Sequence, residues 1–185
     1  MLNVVVTEHT TYNSLSLTVT PLVVCSVNNI GMIKDSTREI SAGVIIYRRT
    51  NEGPRFLLLY HGGQYWNFPK GKIKAEEKSF AAAIRETMEE TGLTAEDMRF
   101  KNRFKDYEKY FFFKGKNRIF KIVTFYLAET RKREIRISEE HEGFGWFLYR
   151  DARRLLKSYY DSESVLKKAR EFIRAKNLWF QQLTF

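Results

Sequence analysis

The sequence predicts an α/β sandwich built around a mixed β-sheet. Short runs rich in β-branched and aromatic residues alternate with three segments of helical character. Glycine-containing turns separate several of these runs, and 43% of the 185 residues are hydrophobic, which is enough to form one substantial core. Strands mixed with a few helices in this way indicate helices that pack on the faces of one sheet.

The first predicted elements are two strands followed by a loop and a helix. Residues 41–49 (SAGVIIYRR) are rich in β-branched residues, and residues 55–61 (RFLLLYH) form an apolar run that indicates burial on both faces. A turn at 51–54 separates them. A loop is expected over 64–78, and a helix over 79–91 that ends at Gly92, since glycine commonly ends helices.

The second half of the sequence continues the pattern of strands and adds two helices. A hairpin-like turn is expected at 114–117, where the sequence is Lys-Gly-Lys-Asn. The longer of the two helices places five apolar residues on one face. The remaining predicted strands cover 100–104, 108–113, 120–128 and 145–148, and the predicted helices cover 151–157 and 162–176.

The first 33 residues differ in composition from the rest of the chain. They contain one acidic residue, Glu8, and no lysine or arginine. We therefore predict an N-terminal extension over 1–33 and a catalytic domain over 34–185. An additional strand or hairpin, a loose tail, and an upstream extension of the reading frame with Met32 as an alternative start all remain open for the extension.

Charge and cysteine content narrow the class of protein. The formal net charge of +10 favours polyanionic ligands such as nucleotides, polyphosphates or RNA. The single cysteine, Cys25, excludes a disulfide within the chain and indicates a cytoplasmic location. No apolar run approaches the roughly 20 residues of a membrane-spanning helix, so no membrane partner is expected. The oligomeric state cannot be predicted from the sequence.

Three glutamates of the predicted helix have the spacing of metal ligands. Glu86, Glu89 and Glu90 are three and four residues apart, which predicts one shared, exposed helix face. Like charges at these spacings repel by a few tenths of a kcal/mol per pair. A hard divalent cation such as Mg²⁺ would offset the repulsion, because it prefers carboxylate oxygens. Arg85 would neutralise part of the charge.

The segment that contains these glutamates, GKIKAEEKSFAAAIRETMEETGL (71–93), resembles the Nudix box. Every fixed position of that motif is matched, and Thr87 is the one soft departure, at a position usually taken by a bulky apolar residue. The resemblance implies an α/β/α sandwich with a loop–helix–loop catalytic motif. It also implies that Glu77 and Arg85 orient the loop, and that Mg²⁺, or Mn²⁺ in its place, is bound by Glu86, Glu89, Glu90 and the carbonyl of Gly71.

The flanking segments resemble those of the asymmetrical diadenosine tetraphosphate hydrolases. The features shared with that branch are a Trp-x-x-Pro-Lys-Gly segment (66–71), a strand KIVTFYLAE (121–129) and a segment SEEHEGFGW (138–146). The resemblance implies phosphate contacts from Lys70 and Lys121. Lys72 departs from the histidine common at its position, and would strengthen the binding of a polyanion.

The same resemblance implies further site residues and a reaction. Glu140 is expected as an additional metal ligand or catalytic carboxylate, and Phe144 and an aromatic residue such as Tyr110 are expected to stack on adenine. The expected reaction is magnesium-dependent hydrolysis of diadenosine tetraphosphate to ATP and AMP. Either Glu89 or Glu90 of the motif, or else Glu140, would accept the proton of the attacking water.

Two other functions stay open at the level of sequence. The stretch FPKGKIKAEE also resembles the Nudix domain of messenger-RNA decapping enzymes, which makes an RNA 5′ end an alternative substrate. A Nudix domain that binds nucleotides without catalysis is the second alternative, although it would be expected to carry a damaged motif.

Overall fold

A computed structural model describes residues 37–157 and 160–182 of the chain, and side chains over 38–157 and 161–175. The predicted extension over 1–33 lies outside the described residues. No helix among the described residues is long and apolar enough to cross a bilayer.

The described residues form seven strands and three α-helices. Each predicted helix and each predicted strand has a counterpart in the structure, with most boundaries shifted by a few residues. The elements are β1 (Thr37–Thr50), β2 (Gly53–Tyr60), β3 (Trp66–Asn67), β4 (Lys70–Lys72), α1 (Ser79–Thr91), β5 (Arg99–Lys114), β6 (Asn117–Glu129), β7 (Gly143–Leu148), α2 (Tyr149–Leu156) and α3 (Tyr160–Gln182).

Two predictions of local structure are wrong in part. The segment 64–78 is not entirely a loop, because β3 and β4 lie within it and pair with β2 and β1. The predicted strands 100–104 and 108–113 form the single strand β5, whose register against β6 shifts between Phe100 and Lys105. Such an irregularity interrupts the alternation of side chains without ending the strand.

The seven strands form one mixed sheet. Its central order is β3-β2-β1-β6-β5, with β4 paired to β1 and β7 paired to β2. Strand β1 runs parallel to β6, and every other pairing is antiparallel. On its side away from β6, β1 pairs with β4 near its beginning and with β2 near its end.

Helices cover both faces of the sheet, which confirms the predicted α/β/α sandwich. Alternate residues of β1 point to opposite faces, so that Ala42, Val44 and Ile46 belong to the core beneath α1. Ile45 and Tyr47 belong to the core beneath α2 and α3. The continuous apolar run of β2 follows from this arrangement, because both of its faces are covered.

Candidate active site

Helix α1 has the bounds that its sequence predicts. Gly92 follows it with φ of 68°, in the left-handed region, and donates its N–H to the carbonyl of Met88. Glu89 is exposed and Glu86 is partly buried, but Glu90 is only 6% exposed. The prediction of three glutamates on one exposed face is therefore wrong for Glu90. Its position three residues after the buried Thr87 places it at the edge of the face that packs on the sheet.

Arg85 connects the helix to the loop before it. Its Nε and Nη2 each donate to one oxygen of Glu77, both at 2.8 Å. Its Nη1 donates to Glu86 at 2.7 Å and to Glu89 at 3.0 Å, and its Nη2 also donates to the carbonyl of Lys72 at 3.0 Å. Because the guanidinium is a rigid fork of donors, it fixes the carboxylates relative to one another. These contacts make Arg85 a positioning residue in this structure.

Glu77 completes the connection on the loop side. Its second oxygen accepts a hydrogen bond from the N–H of Lys74 at 3.0 Å. The hydrogen bonds from Arg85, and next that from Lys74, lower the pKa of Glu77 to about 2. Glu77 is therefore ionised, and its hydrogen bonds connect the loop 72–78 to α1.

Two glycines allow the loop to lie against both the sheet and the helix. A Cβ atom on Gly43 of β1 would lie 2.2 Å from the carbonyl oxygen of Pro69. A Cβ atom on Gly71 of β4 would lie 2.0 Å from Cδ of Glu86. Neither position can accept a side chain without displacement of its neighbours. The structure thus brings the backbone of Gly71 against the carboxylate of Glu86.

Glu90 is the buried carboxylate of this arrangement. Its Oε2 accepts a hydrogen bond from the backbone N–H of Lys70 at 3.0 Å, and its Oε1 lies 3.9 Å from Nε2 of His141. Burial raises the pKa of Glu90 to about 8. The nearby charges of Glu86 and Glu140 add to the rise, while Lys70 opposes it. The charge of Glu140 thus acts on Glu90, although Glu140 belongs to a distant segment of the chain.

His141, which lies beside Glu90, packs against a second histidine, and neither was predicted as a site residue. The rings of His61 and His141 meet edge to face with centroids 4.5 Å apart, and Nδ1 of His141 lies 3.0 Å from Oγ of Ser138. Burial, and then the charge of Lys70, lower the pKa of His61 to about 3, so His61 is neutral. The only feature of the sequence that could have indicated His61 is its position directly after β2. That position does not show which residue His61 contacts.

Two of the three lysines predicted to bind phosphate are paired with a carboxylate that the sequence did not reveal. Glu39 of β1 binds Nζ of Lys121 and Nζ of Lys72, both at 2.7 Å. Glu39 lies beside Lys121 in the parallel β1–β6 pair. Burial alone would raise the pKa of Glu39, but the hydrogen bonds from the two lysines lower this pKa. The third lysine, Lys70, has its Nζ 5.7 Å from the ring centroid of Tyr65.

The two predicted stacking residues lie on opposite faces of the sheet. Tyr110 is half-buried, packs against the core beneath α2 and α3, and lies beside Lys121 across the β5–β6 pair. Phe144 is opposite Leu59, a residue of the core beneath α1, and is 37% exposed. Directly opposed residues of paired strands share a face. The structure therefore does not bring Tyr110 and Phe144 to one base.

Comparison with known proteins identifies the family. Residues 37–169 match the family described as the NUDIX domain. This match covers well over half of the chain. The chain belongs to the Nudix family. The segment 71–93 is therefore its Nudix box, and α1 is the Nudix helix.

Named relatives of this Nudix chain are asymmetrical bis(5′-nucleosyl)-tetraphosphatases. The enzyme of Caenorhabditis elegans is 31% identical over 136 residues, which cover 72% of this chain and 95% of the relative. That of Sus scrofa is 30% identical over 143 residues, covering 72% and 94%. The crystal structure of a C. elegans Ap4A hydrolase binary complex superimposes with a TM-score of 0.67 at 29% identity, and covers 74% of this chain and 98% of that one.

The Nudix helix offers a donor set that fits a hard divalent cation. Glu86, Glu89 and Glu90 supply carboxylate oxygens, and the backbone of Gly71 lies against Glu86. No three acidic, histidine or cysteine side chains within residues 38–157 and 161–175 are arranged as the ligands of one metal ion. Glu86 and Glu89 instead both bind Arg85. Their side chains must turn away from Arg85 in part to bind a cation.

Proposed function

We propose that this Nudix chain hydrolyses a phosphoanhydride bond in dinucleoside polyphosphates, and that it converts diadenosine tetraphosphate to ATP and AMP with Mg²⁺. The observation that carries the proposal is the contact of β4 with the Nudix helix, in which Gly71 lies against Glu86 and the N–H of Lys70 donates to Glu90. We assign three lysines and four carboxylates to the site. The lysines are Lys70, Lys72 and Lys121. The carboxylates are Glu86, Glu89, Glu90 and Glu140.

The lysines support a substrate with a long phosphate chain. Lys72 and Lys121 are held by Glu39, and Lys70 is the first residue of β4. A polyphosphate would replace Glu39 in part as the partner of the two ammonium groups, since both sets of oxygens are acceptors for charge-assisted hydrogen bonds. The pairing with Glu39 also keeps two like charges close together before substrate binds.

The two aromatic residues support a substrate with a base at each end. Tyr110 lies beside Lys121, so a base that stacks on it would place its phosphates near that ammonium. Phe144 follows three residues after His141, which contacts Glu90, and it is exposed on the other face of the sheet. Two separate aromatic positions, one of them beside Lys121, suit a dinucleotide better than a mononucleotide.

The carboxylates are assigned to metal binding and proton transfer. Mg²⁺, or Mn²⁺ in its place, would supply charge neutralisation at the phosphates and lower the pKa of a bound water. Glu86, Glu89, Glu90 and the Gly71 carbonyl would hold it. Hydrolysis joins the water oxygen to phosphorus and breaks one phosphoanhydride bond. The proton passes to a carboxylate, for which Glu89, Glu90 and Glu140 are the candidates.

Arg85 and His141 act on the carboxylates in this scheme. Arg85 holds Glu86 and Glu89 in place and would release part of its contact when a cation binds. His141 lies 3.9 Å from Glu90 and restricts where that side chain can move. The cytoplasmic location predicted from the single cysteine stays a prediction.

A product-resolved assay tests the proposal. Diadenosine tetraphosphate is incubated with the protein and Mg²⁺, and the nucleotides are separated by ion exchange. We expect equal amounts of ATP and AMP. Formation of ADP alone would show symmetrical cleavage, and preferential cleavage of a capped RNA would favour the RNA-end alternative.

The variant Glu90→Gln tests the assignment of the carboxylates. We expect turnover to fall by at least about a hundredfold, because a metal ligand or proton acceptor is removed. Glu96→Gln is the matched control, since it makes the same change on an exposed glutamate after the Nudix helix. Near-normal Mg²⁺-dependent turnover in Glu90→Gln would remove Glu90 from the site.

A further inference from the structure

Helix α2 presents a row of four cations on one face. Arg150, Arg153, Arg154 and Lys157 have the spacing i, i+3, i+4 and i+7, which places them along one side of a helix. Lys157 follows the last residue of α2 and keeps helical backbone angles. The other side of α2 packs on the core through Ala152 and Leu156.

A fifth cation faces this row from α3. The guanidinium of Arg170 lies 4.0 Å from the ring centroid of Tyr149, the first residue of α2. Arg170, Tyr149 and the four cations of α2 line an open groove of about 460 Å³, which we call the α2–α3 groove. The arrangement combines a cationic lining with one aromatic ring.

The acidic residues nearby neutralise the groove only in part. Asp151 lies 3.4 Å from Arg150 and 3.6 Å from Arg154, and Glu163 binds Arg153. Lys157 and Arg170 have no carboxylate within 4.0 Å among the described side chains. Five cations and two carboxylates leave an excess of three positive charges in the groove.

Folding does not account for this excess. A helix dipole favours cations in the last turn, where Arg153 and Arg154 lie. It disfavours Arg150, which is in the first turn. Like charges three and four residues apart also repel each other by a few tenths of a kcal/mol. Asp151 and Glu163 offset this repulsion in part, and a bound anion would offset more of it.

The α2–α3 groove lies away from the catalytic end of the sheet. Helix α2 begins directly after Leu148, which pairs with Arg55, and Arg55 pairs with Arg48 of β1. Gly71 of β4, the first residue of the Nudix box, pairs with Ala42 of β1. Six residues of strand separate Ala42 from Arg48, which corresponds to about 20 Å. A ligand in the groove is thus not the scissile part of a substrate at the Nudix helix.

We propose that the α2–α3 groove binds the sugar–phosphate backbone of single-stranded RNA. The row from Arg150 to Lys157 extends over about 10 Å, which suits a linear chain of phosphates. The groove is open along its length, whereas sites for small ligands enclose most of the ligand surface. Arginines that contact successive phosphates, with an aromatic ring beside them, are the usual means of binding a single strand without sequence preference.

Direct RNA binding tests this proposal independently of catalysis. The full chain is titrated into a fluorescent 12-nucleotide oligouridylate with a 5′-hydroxyl end, in EDTA, and anisotropy is recorded at several salt concentrations. We expect Arg154→Gln combined with Lys157→Gln to weaken binding about tenfold. The slope of log K against log salt should fall by about 1.4, since each lost contact contributes about 0.7 for a single strand.

A matched variant separates the groove from overall charge. Lys114→Gln combined with Lys116→Gln removes the same charge from the exposed β5–β6 turn, and we expect less than a twofold change. Equal weakening in both variants, or no weakening in the groove variant, would overturn the proposal. A second groove variant, Arg150→Gln with Arg153→Gln, should reproduce the first.

Two further measurements complete the test. Hydrolysis of diadenosine tetraphosphate and the thermal midpoint should be unchanged in the groove variants, because the substituted residues are exposed and distant from the Nudix helix. Phosphatidylserine vesicles serve as a second polyanionic probe. Loss of vesicle binding with unchanged RNA binding would overturn the proposal in favour of a membrane surface.

Discussion

Replacing Gly71 by alanine places a methyl group where the Glu86 carboxylate lies. The new Cβ would be 2.0 Å from Cδ of Glu86, whereas an ordinary contact begins at 3.4 Å. Either the carboxylate or the β4 backbone must therefore move by about 1.4 Å. Strand β4 is held by its pairing with β1 at Ala42, and Glu86 is held by Arg85.

A displacement of this size has a predictable effect on turnover. Misplacement of a catalytic group by about 1 Å can cost about a hundredfold in rate. A hundredfold loss corresponds to about 2.7 kcal/mol in activation free energy. We expect Gly71→Ala to lower kcat for diadenosine tetraphosphate by about that factor. The chain should still fold, because Gly71 lies outside the left-handed region that favours glycine and is only half-buried.

The assay compares Gly71→Ala with a second glycine variant. Gly143 of β7 is also a strand glycine, and a Cβ there would meet only Cβ of Tyr60 at 3.8 Å. We expect Gly143→Ala to keep kcat within about twofold. Thermal denaturation of both variants separates lost folding from lost catalysis. A folded Gly71→Ala protein with kcat near that of the original chain would refute the placement of Glu86 against Gly71.

Two other substitutions test single interactions of the site and of the fold. Arg85→Lys keeps the charge, but lysine lacks the rigid fork of donors that contacts Glu77 and Glu86 at once. We therefore expect kcat to fall about tenfold and the thermal midpoint to be lower. Unchanged values of both would contradict the positioning role of Arg85. Burial raises the pKa of Glu108, despite the hydrogen bond from Ser162. A carboxyl group whose pKa is higher in the folded state contributes stability at pH values below its pKa in the unfolded chain, which is about 4. This contribution is lost as the pH rises through the pKa of the folded state. We therefore expect the free energy of unfolding of Glu108→Gln, measured in urea, to exceed that of the original chain by more at about pH 8 than at about pH 4. The same difference at both pH values would contradict this reasoning.

The Nudix helix could be predicted from the sequence because its determinants are local. Gly92 ends it, and the spacing of its apolar residues sets the face that packs on the sheet. The same periodicity did not reveal that Glu90 is buried. Periodicity gives the direction in which a side chain leaves the helix, but it does not show which other segments of the chain cover that side chain. The loop that carries Lys70 and the segment that carries His141 enclose Glu90. Those contacts depend on the sheet.

Contacts between strands that are distant in the sequence could not be predicted for a similar reason. Glu39 begins a strand and resembles any surface glutamate in the sequence. Its function becomes visible only when β1 pairs with β6 and β4, which brings Lys121 and Lys72 to it. The single strand β5 was divided in the prediction because the register shift between Phe100 and Lys105 breaks its pattern of alternation. Parallel pairing leaves no local signature in either strand.

Strand β1 explains why the fold and the site depend on the same few residues. Its beginning supplies Glu39, which gathers two lysines, and its middle supplies Gly43, where a side chain would collide with Pro69. The N–H of Val44 donates to the carbonyl of Pro69 at 3.1 Å, so the residue directly before β4 is fixed to the centre of the sheet. Neither Gly43 nor Val44 carries a charged side chain. A substitution at Gly43 should therefore disturb the distance between the lysines and the glutamates without removing any group that carries the chemistry.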